Sequence, residues 1–451
     1  MGVDASILKE LRAIVEVLPE EEAKKYEADR WVYLKLEGAR RGHALAVVRP
    51  KSELEVAKTL KFCAERGLRV TCRGGGSSVT GASVPLDSVV MDMSAMNRLI
   101  HIDGENMVAR VEAGARLSDV EAKLNSLGYT LGQFPQSFHL ATVGGYLSTM
   151  GTGEFSGEYG GAEESCLSLR VVLPDGSIVD TRGTEAPRSS AGPDLTRLFI
   201  GAEGTFGVIV SARLKIHRLS EHVAKLAFTF RGFPQALSAA KGLLELDVEP
   251  AVCRVYNEQE SSFVFGEHSP LMLLIYHFRS QRIAQATVDE VKASLSASAA
   301  SEADARLVDT WLDTRFKYDE QLSALLKAGY VVETVEAGSS WSDAHALYGD
   351  ISSQLPQVEG VVGFGAHVSH IYNQGVCLYI TVIMKPNIQT YTKLWETVGA
   401  ACRAHRATVT HHHGVGILKS GLVKNEVPLT LLERIKRAVD PENTMNPDKL
   451  L

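Results

Sequence analysis

The chain has 451 residues, 45% of them hydrophobic and 22% charged, with a formal net charge of -7. That is ordinary globular composition, long enough for two or three domains, and its acidic balance without any long Lys/Arg run argues against nucleic acid as a partner. Six cysteines (Cys63, Cys72, Cys166, Cys253, Cys377 and Cys402) show no CxxC or zinc-like spacing, so a reducing compartment is expected and a disulfide framework is not.

The N-terminus, MGVDASILKELRAIVEVL, places Leu8, Leu11, Ile14, Val15 and Leu18 at helical spacing and lacks the apolar core of a signal peptide. Residues 1–41 are expected to form a helical lead-in, whose apolar side can serve peripheral membrane contact or equally pack on the domain or a partner subunit. No stretch approaches the ~20 apolar residues of a membrane span, and the ending DKLL is no clear peroxisomal tripeptide. The expected location is cytoplasmic. A β-rich, glycine-rich region follows over 42–219. ALAVVRP reads as a strand, Ser52 caps the helix SELEVAKTLKFCAERG, and Gly67 suits its end. LRVTC, SVVMDMS, RLIHID and MVARVEAG read as short strands, RLSDVEAKLNSLG as a helix, and LSLRVVLPDGSIVDT as a hairpin turning at Pro174, Asp175 and Gly176.

After about residue 220 strand-like and helix-like segments alternate: VAKLAFTF, QALSAAKGLLEL, AVCRVYN, LMLLIYHF, IAQATVDEVKASLSA. This pattern predicts an antiparallel sheet with helices on one face. The small, polar stretch over 294–305 is expected to be a mobile connection. TYTKLWETVGAACRAHRA is an amphipathic helix, and ATVT after it reads as a strand.

Three glycine-rich stretches stand out. RVTCRGGGSSVTG sets consecutive glycines directly after a strand, where backbone N–H groups turn toward an anion without Cβ obstruction. From the residues alone this is either a phosphate-binding nest or a tight surface turn. It is neither a GxGxxG opening a helix nor a GxxxxGK loop. FPQSFHLATVGGYLSTMGTGEFSGEYGG and FIGAEGTFGVIV follow. Finally, HHHGVG begins at His411. If the strand continued, His411 and His413 would face one way and His412 the other, which makes shared metal ligation awkward. No metal is expected; proton handling suits these imidazoles better.

In this order, RGGGSSVTG, PQSFHLATVGGYLST, DLTRLFIGAEGTFGVI and DPENTMNPDKLL resemble the FAD-linked oxidases of the vanillyl-alcohol-oxidase/p-cresol-methylhydroxylase (PCMH) superfamily, over roughly residues 42–451. Within it, SSAGPDLTRLFIGAEGTFGVI, EPAVCRVYN, HIYNQGVCLYITVI and HHHGVG resemble the alkyldihydroxyacetonephosphate synthases, flavoenzymes of ether-lipid synthesis. The resemblance implies an α+β fold: a PCMH-type FAD-binding domain over 42–219, an α+β cap (substrate) domain built on an antiparallel sheet over 220–405, and a segment over 406–451 that returns to the active site. It implies FAD, expected to be non-covalent, with contacts at Cys72, Arg73, Gly74, Gly75, Gly76, Ser77 and Ser78. Further contacts fall at Pro135, Gln136, Ser137, Phe138, His139, Leu140, Ala141 and Thr142, at Ser148, Thr149, Met150 and Gly151, and at Glu203, Gly204, Thr205, Phe206, Gly207, Val208 and Ile209. Cys72 and His139 are the places where covalent attachment would occur. Met150 stands where the family has arginine, and Arg73 is the expected replacement donor.

By the same resemblance Tyr379, His411, His412 and His413 are catalytic, and Arg254 and Arg315 bind substrate. The implied reaction exchanges the acyl group of acyl-dihydroxyacetone phosphate for a long-chain alkoxy group through attachment to flavin N5, with no net electron transfer. A homodimer is implied too. Arginine's planar fork suits the phosphate; Tyr379 acts as a base only if nearby positive charge lowers its ordinary pKa of about 10. The D-2-hydroxyacid (D-lactate-type) dehydrogenases of the same superfamily are the rival. They bind a divalent metal through a GHxGDGNxH segment and an EHG segment. Here GAHVSHIYNQGVCLYI supplies His367 for the first ligand but Gln374 for the second, and His412 replaces the glutamate; the remaining alternative is a nitrogen-rich zinc site from His367 and His370 with the triplet. A non-catalytic flavin-binding module is the third possibility, opposed by Tyr379, the histidines and the paired arginines.

Overall fold

The computed structural model describes residues 5–317, 320, 322–424 and 426–451. The lead-in begins as a helix over Ala5–Ile14 but does not stay helical. Glu16 and Val17 form β1 (Glu16–Val17), which adds to the edge of β2 (His43–Arg49), with Glu16 held by Lys51 at 2.8 Å. Ser52 Oγ accepts the Glu55 N–H at 3.2 Å and so caps the helix Glu53–Glu65. That helix leads into β3 (Arg69–Arg73), and β4 (Leu86–Asp92) lies parallel to both β2 and β3 in a sheet of order β1-β2-β4-β3.

A second, antiparallel sheet follows. β5 (Leu99–Asp103) and β6 (Val108–Glu112) lead to a helix over Leu117–Asn125 and the short β7 (Tyr129–Thr130). β8 (Cys166–Val172), β9 (Ile178–Asp180) and β10 (Val208–Lys215) complete the order β5-β6-β10-β8-β9, while β11 (His217–Arg218) pairs with β7. The two sheets belong to the first lobe, and the loops at their meeting point carry the glycine-rich stretches.

The cap is one seven-stranded antiparallel sheet. It contains β12 (His222–Thr229), β13 (Val252–Tyr256), β14 (Leu271–Phe278), β15 (Ser301–Glu302), β16 (Val331–Ser340), β17 (Val361–Tyr372) and β18 (Gly375–Met384), in the order β15-β12-β14-β13-β17-β18-β16. Helices Phe233–Leu243, Gln281–Ala297, Trp341–Gln354 and Ile388–Ala404 bury their apolar sides against one face, in a core that includes Val255, Leu274, Leu378 and Leu394. The other face is not bare. Helix Arg306–Thr314 sets Val308 and Trp311 against Leu271, Leu273 and Ile275. The stretch expected to be a mobile connection is ordered: the helix runs to Ala297, β15 pairs with β12, and Ala303 N–H donates to the Ala227 carbonyl. Backbone pairing there outweighs the loop-like composition.

The C-terminal segment returns to the first lobe. Met445 bridges Val70, Asn446 Nδ2 donates to the Glu203 carbonyl at 2.6 Å, and Lys449 Nζ donates to the Ala82 carbonyl at 2.9 Å. Among the described residues, no helix is long and apolar enough to cross a membrane.

Candidate active site

A cavity of about 840 Å³ lies between the first-lobe loops and the cap sheet. Its floor is the glycine loop after β3, where Cys72, Arg73, Gly74, Gly75, Gly76, Ser77 and Ser78 all border the space. A Cβ on Gly74 would strike Thr142 Oγ1, and one on Gly75 would strike the Leu140 carbonyl oxygen. Gly76 sits at φ +65°. Among the described residues, no protein acceptor takes the backbone N–H of Gly75, Gly76 or Ser77. Unobstructed donors in succession are what an anionic diphosphate needs.

Pro135, Gln136, Ser137, His139, Leu140, Ala141, Thr142, Ser148, Thr149 and Gly151 form a second wall, and Glu203, Gly204, Gly207, Val208 and Ile209 a third. Four expected cofactor residues stand off the walls. Phe138 and Phe206 are packed in the first-lobe core, and Thr205 is buried with its carbonyl oxygen taken by Lys436 Nζ at 2.9 Å. Met150, at φ +52°, turns over Gly201. Arg73 reaches the cavity from behind the loop, with its guanidinium against Gly76 and Nη1 donating to the Tyr26 carbonyl at 3.2 Å. Burial pushes the Cys72 thiol up to about 12.

Strand register assembles the opposite wall. Directly opposed residues of an antiparallel pair share a face. Tyr256 opposes His367, His367 opposes Tyr379, and Tyr379 opposes Glu336, giving one row across β13, β17, β18 and β16. Val255, Val368, Leu378 and Val335 alternate onto the core face. Arg254 joins the site from the same side as Tyr256. Its Nε donates to Tyr256 Oη at 2.5 Å, Nη1 donates to Ser369 Oγ at 2.7 Å, and Nη2 lies 3.1 Å from His367 Nε2. Arg315, at the end of the helix Arg306–Thr314, puts Nε 3.0 Å from Glu154 Oε2. Arg254 Nη1 is 3.9 Å from the other Glu154 oxygen, so one buried carboxyl serves both arginines. Burial raises that carboxyl's pKa against the pull of both cations. His367 Nδ1 lies 2.8 Å from Glu260 Oε1, and its ring stacks on Tyr379 with centroids 4.9 Å apart.

The histidine triplet is not on a strand. The last bridged residue before it is Thr408, opposite Gly338, and His411, His412 and His413 lie on a bend. Two buried carboxylates impose that bend. Glu336 accepts the His412 N–H at 3.2 Å and the His413 N–H at 3.0 Å, and pairs with Lys419 Nζ at 2.8 Å. Glu203 accepts the Val415 N–H at 2.5 Å and the Gly416 N–H at 2.9 Å. The histidines therefore gather instead of alternating. His412 Nδ1 is 3.1 Å from Tyr379 Oη and 3.0 Å from His411 Nδ1, while His411 Nε2 is 2.8 Å from Tyr372 Oη. The result is a chain of proton-carrying groups running Tyr372–His411–His412–Tyr379.

Burial, then the neighbouring imidazole, lowers His411 to about 4 and His412 to about 3. Both are neutral at physiological pH. Burial also pushes the Tyr379 phenol well above its ordinary value, and Cys377 and Glu336 add to the rise. The condition for Tyr379 to act as a base by itself, a pKa lowered by nearby positive charge, is thus not met, because burial dominates. Burial opposes ionisation of Glu336, but His413 and the Lys419 ammonium hold its carboxyl well below the usual range.

Glu336, Lys419, Glu154 and Glu260 were not among the expected site residues, and His370 was named only as a candidate zinc ligand. Glu336 had a visible signal: an acid at an otherwise apolar position of VVETVEAGSS. Glu154 lies in a small-residue run with no periodicity to reveal its burial.

A family model for the FAD binding domain matches residues 44–182, and one for the C-terminal domain of FAD linked oxidases matches residues 219–450. The chain belongs to the FAD-linked oxidases. An uncharacterized FAD-linked oxidoreductase of Escherichia coli O157:H7 is 29% identical over 425 residues, covering 89% of this chain and 87% of the relative. The alkyldihydroxyacetonephosphate synthase of Dictyostelium discoideum is 26% identical over 447 residues, covering 90% of this chain and 73% of the relative. A solved alkyldihydroxyacetonephosphate synthase superposes with a TM-score of 0.82 at 22% identity, covering 99% of this chain and 85% of that one. The fold is the α+β, PCMH-type arrangement, and the cofactor of this FAD-linked oxidase is FAD. The unpartnered amides of Gly75, Gly76 and Ser77, with no Cβ above the first two, fit its diphosphate.

Proposed function

We propose that this FAD-linked oxidase is an alkyldihydroxyacetonephosphate-synthase-like transferase that exchanges the acyl group of acyl-dihydroxyacetone phosphate for a long-chain alkoxy group. One observation carries the reading: a pair of mostly covered arginines and a neutral Tyr379–His412 pair face the same cavity, which apolar side chains also line. Arg254 and Arg315 supply fixed positive charge and a planar donor fork for the phosphate. Phe263, Val264, Leu322, Leu325, Leu326 and Phe364 offer a surface for an alkyl chain.

When bound, FAD supplies the nucleophile of the exchange. The fatty acid leaves as a carboxylate, the alcohol oxygen forms the new C–O bond, and the alcohol's proton must be removed. His412, neutral and 3.1 Å from Tyr379 Oη, accepts that proton through the phenol, and His411 passes it toward Tyr372. Non-covalent FAD is the reading supported at Cys72, whose thiol burial keeps protonated at neutral pH. Acid precipitation should therefore release all the flavin, and flavin left on the protein would point to Cys72 or His139.

The deciding experiment incubates the FAD-loaded protein with acyl-dihydroxyacetone phosphate and a long-chain alcohol, with no electron acceptor. Alkyl ether formation supports the transferase. A second reading, oxidation of a D-2-hydroxy acid, draws on Arg254 beside His367, a pair suited to a carboxylate next to Tyr379. Dye reduction with D-lactate or D-2-hydroxyglutarate, without ether product, overturns the transferase.

A further inference from the structure

We propose that His370, His411 and His412 form a binding site for a divalent transition-metal ion of the kind imidazole favours, such as Zn²⁺ or Co²⁺. One ligating atom from each lies within 4.8 Å of the other two. His411 and His412 turn their Nδ1 atoms toward each other at 3.0 Å, a contact between two ring nitrogens that requires a proton or a cation between the lone pairs. A tetrahedral ion with Zn–N bonds of about 2.0–2.1 Å spaces its nitrogens about 3.3–3.4 Å apart, so the rings need to part only slightly.

The rings are held from outside as metal-ligating imidazoles are. His370 Nδ1 lies 2.7 Å from Ser156 Oγ, and His411 Nε2 lies 2.8 Å from Tyr372 Oη. His370 also stacks on His411, with centroids 5.1 Å apart. His370 and His412 border the cavity, so a fourth position faces space that water or a substrate oxygen occupies. A neighbouring trio of Glu336, His412 and His413 is also close. There, however, the carboxylate is already committed to Lys419 and two backbone amides. The bend at His411 removes the objection that strand geometry raised against shared ligation.

An ion at this site takes the His412 nitrogen that faces Tyr379, so it inhibits the proton relay; that consequence rests on the proposed transferase, whereas binding itself does not. The test titrates chelator-treated, FAD-loaded protein with Zn²⁺, reads bound metal after equilibrium dialysis, and repeats the titration with Co²⁺ by visible absorption. One ion per chain is expected. His370→Ala and His411→Ala should each weaken binding beyond the ~10–100-fold typical of a lost outer partner, and Ser156→Ala should fall within that range with all three ligands kept. Flavin content checks the fold of each variant. Failure of the wild-type protein to bind one ion, or unchanged affinity in the histidine variants, overturns the site. Ether formation plays no part in these readings, so they stand apart from the outcome for the transferase.

Discussion

Tyr379 and His412 meet at 3.1 Å, and neither carries a charge at rest. Losing either should cost turnover without costing flavin. Tyr379→Phe and His412→Ala are expected to lower kcat by about 10²–10⁴-fold while the purified variants stay yellow, as read by steady-state kinetics and absorbance. Glu336 bears on stability through pH. Its carboxyl pKa is depressed in the folded chain, so its contribution is complete above the ordinary value of 4.5 and is lost as pH falls through the folded value. Glu336→Gln should therefore destabilise the protein by about 3 kcal/mol at neutral pH, as a broken buried pair does, and the gap in thermal midpoint should close on acidification. At this scale the sequence was readable for residue types but not for protonation. HHHGVG marked the site, yet the state of its rings depends on burial that only the fold supplies.

The glycine loop and the cap strands show what elements add. Gly75 has no room for a side chain under the Leu140 carbonyl, whereas nothing lies within 4 Å of a Cβ at Gly183. Gly75→Ala should thus be purified with little flavin and Gly183→Ala with a full complement, measured as the ratio of flavin to protein absorbance. The loop was legible because consecutive glycines after a strand have few uses. Most cap strands were legible from apolar runs bounded by turn residues. The row Tyr256–His367–Tyr379–Glu336 was not, because pairing register depends on partners far apart in the chain. The bend at His411 was hidden for a related reason: the carboxylates that capture its amides come from residues 203 and 336.

At the scale of the whole molecule, the last residues close the first lobe. Asn446 Nδ2 donates to the carbonyls of Glu203 and Ala82, both on cavity-lining segments. Asn446→Ala leaves the buried Glu203 carbonyl unpaired, while Lys449 still serves that of Ala82; the loss of about 1–3 kcal/mol should weaken flavin retention although the side chain itself stands off the wall. Denaturant unfolding and flavin release check both halves. This closure was expected from family likeness alone; nothing in MNPDKLL announces which carbonyls it reaches. The strut from Glu203 to the amides of Val415 and Gly416 has a thermodynamic corollary. It joins the segment that walls the cofactor to the segment that carries the histidines. Linkage is reciprocal: if FAD steadies the first, it must steady the second, and a substitution that loosens the second must weaken FAD by the same factor. Hydrogen exchange at the Val415 and Gly416 amides should accordingly slow when apoprotein is reconstituted, so that flavin occupancy is reported by a loop belonging to the other half of the catalytic apparatus.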